Sequence, residues 1–269
     1  MRALGTIRNE TAFGGFSAIE YQSVSSDDLL TTGKFTIITD RGSIYTGPIF
    51  RNDAGIGTGI IDLEPILAED LRPVAELTGT GFDAEGLTIA ADALYISFEG
   101  QHRILRYTLD GTVSRLPDLP PEARLQQNSG IEALATDDNG NVIAIPERSG
   151  QLDRPFPVFS FDGVEWSVLF SIPREGPFLV AGADILENRL YVLERAFTGL
   201  AFRSRVRSFA MDGSGEQTHL ETPAFTHDNL EGITVFRDEM DNSIRLLMIS
   251  DDNFNPLQQT QIVEYRLPD

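Results

Sequence analysis

The chain has 269 residues, 41% of them hydrophobic, and sets 41 acidic side chains against 21 basic ones, for a formal charge of −20. That balance repels a phosphate backbone and an anionic bilayer, which excludes nucleic-acid binding and favours cations as partners. There is no cysteine, so thiol catalysis, zinc–thiolate sites and disulfides are excluded, and no run reaches the roughly 18 apolar residues of a membrane span.

In chain order, RALGTIRN (2–9) reads as a strand with no partners of its own nearby. FSAIEY (16–21) and KFTIITDRG (34–42) form the first hairpin, and EPILAEDLRP (64–73) reads as a short helix bounded by prolines. DAEGLTIA and ALYISFEG (83–100) form the second hairpin, followed by RILRYTL. SGIEALAT and NVIAIPERSG (129–150) form the third, followed by FPVFSF. VAGADIL and RLYVLERAF (180–197) form the fourth, followed by RVRSFAM. NLEGITVF and IRLLMISDDN (229–253) form the fifth, followed by QIVEYRL. Turn signals such as DDNG, LDG, FDG and MDGSG separate the strands.

The hairpins register at Ser17, Glu85, Glu132, Ala181 and Glu231, the last four spaced by 47, 49 and 50 residues. Repeats of that length with about four strands each predict one all-β domain over 1–269, a β-propeller of five to six blades. Five register marks indicate five blades, and the longer first interval leaves room for a sixth. The N-terminal strand is expected to close the last blade beside QIVEYRL.

In a propeller the first strand of each blade lines the channel and the second returns antiparallel, so the start of one and the end of the other meet at one mouth. The expected ring is Asp40, Glu99, Glu147, Glu194 and Asp251 from second strands, with Glu85, Glu132 and Glu231 from first strands. Asp184 lies close to the gap left by Ala181. Carboxylates this crowded need a cation, arginine partners or raised pKa values. A calcium ion suits an all-oxygen set, with Asp40, Glu85, Glu99, Glu132, Glu231 and Asp251 as ligands and Asn128, Asp228, Asn229, Asp252 and Asn253 beside them. Salt bridging is the competing reading, because Arg41, Arg148 and Arg195 each follow an acid, and alternation directs each toward a neighbouring blade.

Those motifs, GGFSAIEY with ITDRG, DAEGLTIA, SGIEALAT, LYVLERAF and NLEGITVF with LMISDDNF, resemble the phytase-like family, "esterase-like activity of phytase". The resemblance spans nearly the whole chain and implies a propeller, a bacterial source, frequent export and ester or phosphoester hydrolysis. Ser17 and Ala181 depart from the acidic pattern.

The expected function is calcium-dependent hydrolysis of a small anionic ester or phosphoester. Glu147 or Glu194 is the candidate base, His102 the histidine near the mouth, and Arg41, Arg148 and Arg195 the substrate grip. A lactonase of the gluconolactonase-like type and a non-catalytic, calcium-braced scaffold are the alternatives. Ser17 lacks the G-x-S-x-G context of a nucleophile, and His227 reads as a loop histidine. Arg203, Arg205 and Arg207 share one strand face, expected to be solvated, and Trp166 is expected to pack between blades. The expected location is periplasmic or extracellular if an export signal has been removed, and cytoplasmic otherwise.

Overall fold

Five antiparallel sheets surround one axis in the computed structural model, which describes residues 2–6, 14–23, 31–51, 57–60, 64–66, 83–90, 93–108, 110–127, 129–255 and 257–268. β1 (Arg2–Thr6) comes first. Blade one holds β2 (Phe16–Ser23), β3 (Thr31–Thr39), β4 (Ile44–Arg51) and β5 (Gly57–Ile60), and β6 (Glu64–Ile66) also pairs with β4. Blade two holds β7 (Ala84–Ala90), β8 (Ala93–Phe98), β9 (Arg103–Thr108) and β10 (Val113–Arg115). Blade three holds β11 (Ile131–Thr136), β12 (Val142–Pro146), β13 (Phe156–Phe161) and β14 (Trp166–Ile172). Blade four holds β15 (Leu179–Leu186), β16 (Arg189–Phe197), β17 (Phe202–Ala210) and β18 (Gln217–Glu221). Blade five holds β19 (Asn229–Arg237), β20 (Ile244–Asp251) and β21 (Gln261–Arg266), and β1 completes it by pairing with β21. The clasp of N-terminus on last blade is therefore as the sequence predicts, and the blade count is five.

The first strand of every blade is innermost, and β2, β7, β11, β15 and β19 each neighbour the next around a closed ring. Five apolar clusters fill the five junctions. β12 shows why strands here are apolar on both faces. Ile143 and Ile145 pack toward blade four, while the alternate residues Val142 and Ala144 pack toward blade two. Trp166 packs at the junction of blades two and three, and its indole N–H donates to the Pro117 carbonyl at 2.8 Å.

The helix expected over 64–73 is not formed at its start. Glu64–Ile66 is a strand, with Pro65 at a sheet edge where a missing N–H is tolerated; 67–73 lie outside the described residues.

All five innermost strands carry a β-bulge at the register position. In each case two residues face one, and the extra residue is Ser17, Glu132, Ala181 or Glu231, or the Glu85–Gly86 pair. A bulge re-aims a side chain out of the strand alternation. The residue that follows must be small. A Cβ on Gly182 would lie 2.6 Å from the Glu231 carbonyl oxygen, one on Gly232 2.8 Å from the Ile19 nitrogen, and one on Gly86 3.1 Å from the Glu132 carbonyl oxygen. The first two are clashes and the third a tight contact with the inner strand of the next blade, so the E-G pair records both a mouth carboxylate and the crowding at the axis. Gly182→Ala is expected to cost about 1–3 kcal/mol in urea unfolding, because backbone, not a movable side chain, opposes the methyl group.

Candidate active site at the channel mouth

The bulges deliver their side chains to one end of the channel. There a cavity of about 420 Å³ is lined by eight carboxylates, Asp40, Asp83, Glu85, Glu99, Glu132, Glu147, Glu231 and Asp251, and by two guanidinium groups, Arg148 and Arg195. Ser17, Asn229 and Asn253 complete its polar wall. Below it the axis narrows to a void of about 10 Å³ between the strand backbones, room for no more than about one water. The mouth is thus a blind cup.

Its strongest concentration of oxygen donors is on blade two. Asp83, Glu85 and Glu99 each offer a carboxylate oxygen, all within 4.8 Å of one another. The Glu99 N–H donates to the Asp83 carbonyl at 2.7 Å, which ties the two ends of the hairpin together. Among the described residues no guanidinium lies within 4 Å of this trio. Asp40 stands next in the ring, its carbonyl accepting from the Ala84 N–H at 3.0 Å and its carboxylate Oδ1 buried with no hydrogen-bond partner. Gly15 packs against it with a φ of +68°, a conformation and a closeness that only glycine allows.

Burial and mutual repulsion raise the proton affinity of these groups. Burial pushes Asp40 up to about 6, with Asp83 and Glu231 adding to it against Arg41. Burial and then Glu231 push Asp251 up to about 8. Glu85 is held well above the carboxylate range by burial, then by Glu132 and Glu231. Glu132 is raised likewise, chiefly by burial, although Arg195 opposes. Asp83 and Glu99 also move upward, first through burial.

Arg195 is the interior counter-charge. Its guanidinium reaches Glu231, Asn229 Oδ1 at 2.9 Å and Glu147 at 3.6 Å, joining blade five to blade three. Burial alone would weaken its hold on its proton, but Glu231, Glu132, Glu147 and Glu85 outweigh that and strengthen it. Arg148, half exposed at the rim, donates to its own neighbour Glu147 at 3.0 Å rather than to another blade. Arg41 is exposed and stacks 3.7 Å over the Phe254 ring, outside the cavity lining.

Glu194 is not in the mouth. Its register partner is Val180, the pair just before the bulge, whereas the matching pairs elsewhere end in Thr39, Phe98, Pro146 and Ser250. The blade-four equivalent of Asp40, Glu99, Glu147 and Asp251 is therefore Arg195, one residue later. A slip of one residue turns a strand side chain to the other face, and Glu194 is completely buried between Arg205 and Arg207. Arg205 approaches it at 2.9 and 3.2 Å, and Arg207 binds it twice at 2.7 Å. Arg205 and Arg207 are accordingly not solvated as expected: Arg207 is 0% exposed, and Glu175 and Glu216 add to the cluster, whereas Arg203 stays partly exposed and pairs with Glu221.

Asp184 does not fill the gap either. It lies one turn of the strand alternation deeper, buried, with Oδ2 accepting from Thr234 Oγ1 at 2.9 Å and Oδ1 from the Ile185 N–H. Glu20 is buried at the same level, and each carboxyl is raised chiefly by burial, Asp184 to about 6. His102 is outside the cavity, with Nε2 at 2.8 Å from the Gln126 carbonyl. His227 Nε2 meets the Tyr265 hydroxyl at 2.5 Å. Asp228 accepts from the Gln259 N–H at 2.8 Å, and the Asp252 carboxylate from the Gly15 N–H at 3.1 Å, so both act as loop ties. Asn128 lies outside the described residues. Asp83 escaped the sequence reading, although its signal was present. It stands two residues before Glu85, on the same side of an extended chain.

The propeller resembles solved hydrolase structures. An exo-β-1,3-galactanase from Phanerochaete chrysosporium superposes with a TM-score of 0.55 at 10% identity, over 99% of this chain and 64% of that one. A sucrose-6-phosphate hydrolase from Lactobacillus gasseri gives 0.51 at 11% identity, over 95% and 59%. This chain therefore spans less than two thirds of either protein, and at such identities the likeness is one of fold. No curated protein matches the sequence. The family model for phytase-like proteins, described as esterase-like activity of phytase, matches residues 11–254, and the chain belongs to that family.

Proposed function

We propose that the mouth holds a divalent cation, calcium by its all-oxygen donor set, and that the protein hydrolyses ester or phosphoester bonds there. The observation that carries this reading is the trio Asp83, Glu85 and Glu99, gathered at the wall of a solvent-open cup with no guanidinium within 4 Å of it among the described residues. The donors fit a flexible oxygen-coordinated ion, and Asp40, with its partnerless buried Oδ1, is the natural fourth. Family membership supports the same chemistry.

A cation bound there supplies Lewis-acid polarisation of the scissile carbonyl or phosphoryl oxygen. Glu132, the blade-three bulge acid at the cup wall, raised by burial, accepts the proton of the attacking water. It replaces Glu194, which is sealed inside blade four, and precedes Glu147, which is already engaged by Arg148 and Arg195. Arg148, at the rim, faces the negative charge of the substrate. Arg195 holds Glu147 and Glu231 in place and keeps their charge from adding to the crowd.

The test is turnover of p-nitrophenyl esters, p-nitrophenyl phosphate and simple lactones in calcium and in chelator, with thermal stability read alongside. Calcium-dependent hydrolysis is expected. Glu132→Gln should lower kcat by about 10²–10⁴ while the calcium-induced rise in Tm persists, and Glu85→Gln should lose both. A rise in Tm with no turnover of any substrate would favour the calcium-braced scaffold, and turnover confined to lactones would favour a lactonase.

A further inference from the structure

Beside the acidic cup, on the same face, a second cavity of about 560 Å³ opens between blades four and five. Its walls come from the 197–202 and 225–228 segments and from Asn255, Leu257 and Gln258, in connections that join strands at the mouth end of those two blades. Phe197 and Phe202 line both cavities, with ring centroids 5.0 Å apart. The groove and the cup are thus one recess with an aromatic sill between them.

The groove sets a cluster of exposed apolar side chains among polar ones such as His227, Asn255 and Gln258. Phe197 is 60% exposed, Leu200 85%, Phe225 76% and Leu257 89%. Exposed apolar side chains that gather around one concavity mark a binding site, whereas scattered ones do not. Phe225 adds a second observation. Its φ is +67°, a left-handed conformation that a bulky aromatic residue rarely adopts and that glycine or asparagine takes easily. A strained backbone and an exposed ring thus coincide at this position. Among the described residues the groove lining contains no arginine or lysine, and its one charged side chain is Asp228. Gln261, on its wall, has a buried Oε1 without a hydrogen-bond partner.

We infer that this groove is the subsite for an uncharged apolar arm of the substrate, so that the protein acts on esters with an aryl or medium-length alkyl group. A polyphosphorylated substrate would find no cation in the groove. The inference rests on the cup being the reacting site, and its test separates the two. The calcium-loaded protein is assayed with p-nitrophenyl acetate, butyrate and octanoate, alongside the double variant Leu200→Ser/Phe225→Asn. Binding of the neutral dye N-phenyl-1-naphthylamine and the oligomeric state are measured on both.

In the parent protein kcat/KM should rise on the order of 10–100-fold from acetate to octanoate, mostly through KM, as burying several methylenes requires. The double variant should lose most of that rise and bind the dye at least tenfold more weakly. Its Tm should hold or increase, because asparagine suits the φ at 225. Turnover without chain-length dependence, or dependence unchanged in the variant, overturns the inference. So does a parent dimer that the variant disperses with no dye bound, since the groove would then be covered by a second copy. No turnover of any ester, together with dye binding that the variant abolishes, sinks the hydrolase reading and supports the groove as an apolar ligand site.

Discussion

Glu194→Ala is expected to cost about 3–5 kcal/mol of folding stability, enough to leave much of the protein unfolded near physiological temperature. The carboxylate is completely buried and receives four hydrogen bonds from Arg205 and Arg207, themselves almost wholly buried. Removing it leaves two guanidinium groups in a low-dielectric junction with only Glu175, Glu216 and backbone carbonyls to compensate. The loss is therefore mainly the penalty of uncompensated charge, not the worth of one ion pair. Glu194→Gln, which keeps acceptor capacity but not the charge, should lose less. Urea unfolding of both variants measures the difference. A folded Glu194→Ala with parental stability and a large fall in kcat would instead return Glu194 to the active site.

That residue also marks the limit of what the sequence made legible. Repeat spacing, turn signals and β-branched runs were sufficient for a propeller of five to six blades and for the closing strand, because period-2 packing on both faces leaves a strong pattern; among the described residues the longer first interval proved to hold no sixth blade. Seven mouth acids followed from the same repeat. Glu194 did not fall in place because R-A-F continues β16 past the bulge register, so the acid that looks homologous is one residue early. Only the pairing Val180↔Glu194 reveals the slip. The consequence is chemical: blade four contributes Arg195 and no acid to the cavity lining, where blade two contributes three acids and blade three two. The groove was equally invisible, since Phe197 at the end of β16 and Phe225 and Leu257 in two loops share no repeat and meet only when blades four and five are side by side.

The mouth predicts an inverted pH response in chelator. Asp251 is raised to about 8 and Asp40 to about 6 at the mouth, and Asp184 to about 6 in the channel, each chiefly by burial. Below about pH 4 folded and unfolded chains both hold these protons. Above it the unfolded chain releases them first, so the folded state binds more protons and each further rise in pH favours unfolding until the folded value is passed. Stability should thus fall from about pH 4 to about pH 8. A tenfold difference in proton affinity between the two states corresponds to about 1.4 kcal/mol, and mutual coupling shares the loss among neighbours. A fall in Tm on the order of 5–10 °C between pH 5 and pH 8 is expected. Calcium should recover the part that originates at the mouth, because binding requires the deprotonated ligands and replaces their protons. It should not recover the part from Glu20 and Asp184, which lie deeper on the axis. Glu20→Gln mimics the protonated acid, can keep the contacts to Thr88 and Ile89, and removes the repulsion on Asp184. It should raise Tm at pH 8 in calcium and chelator alike, with little change at pH 5. Thermal melts across that range, with and without calcium, decide it: a chelated protein whose Tm is flat or rises toward pH 8 has no frustrated ring of carboxylates, and the case for a cation at the mouth goes with it.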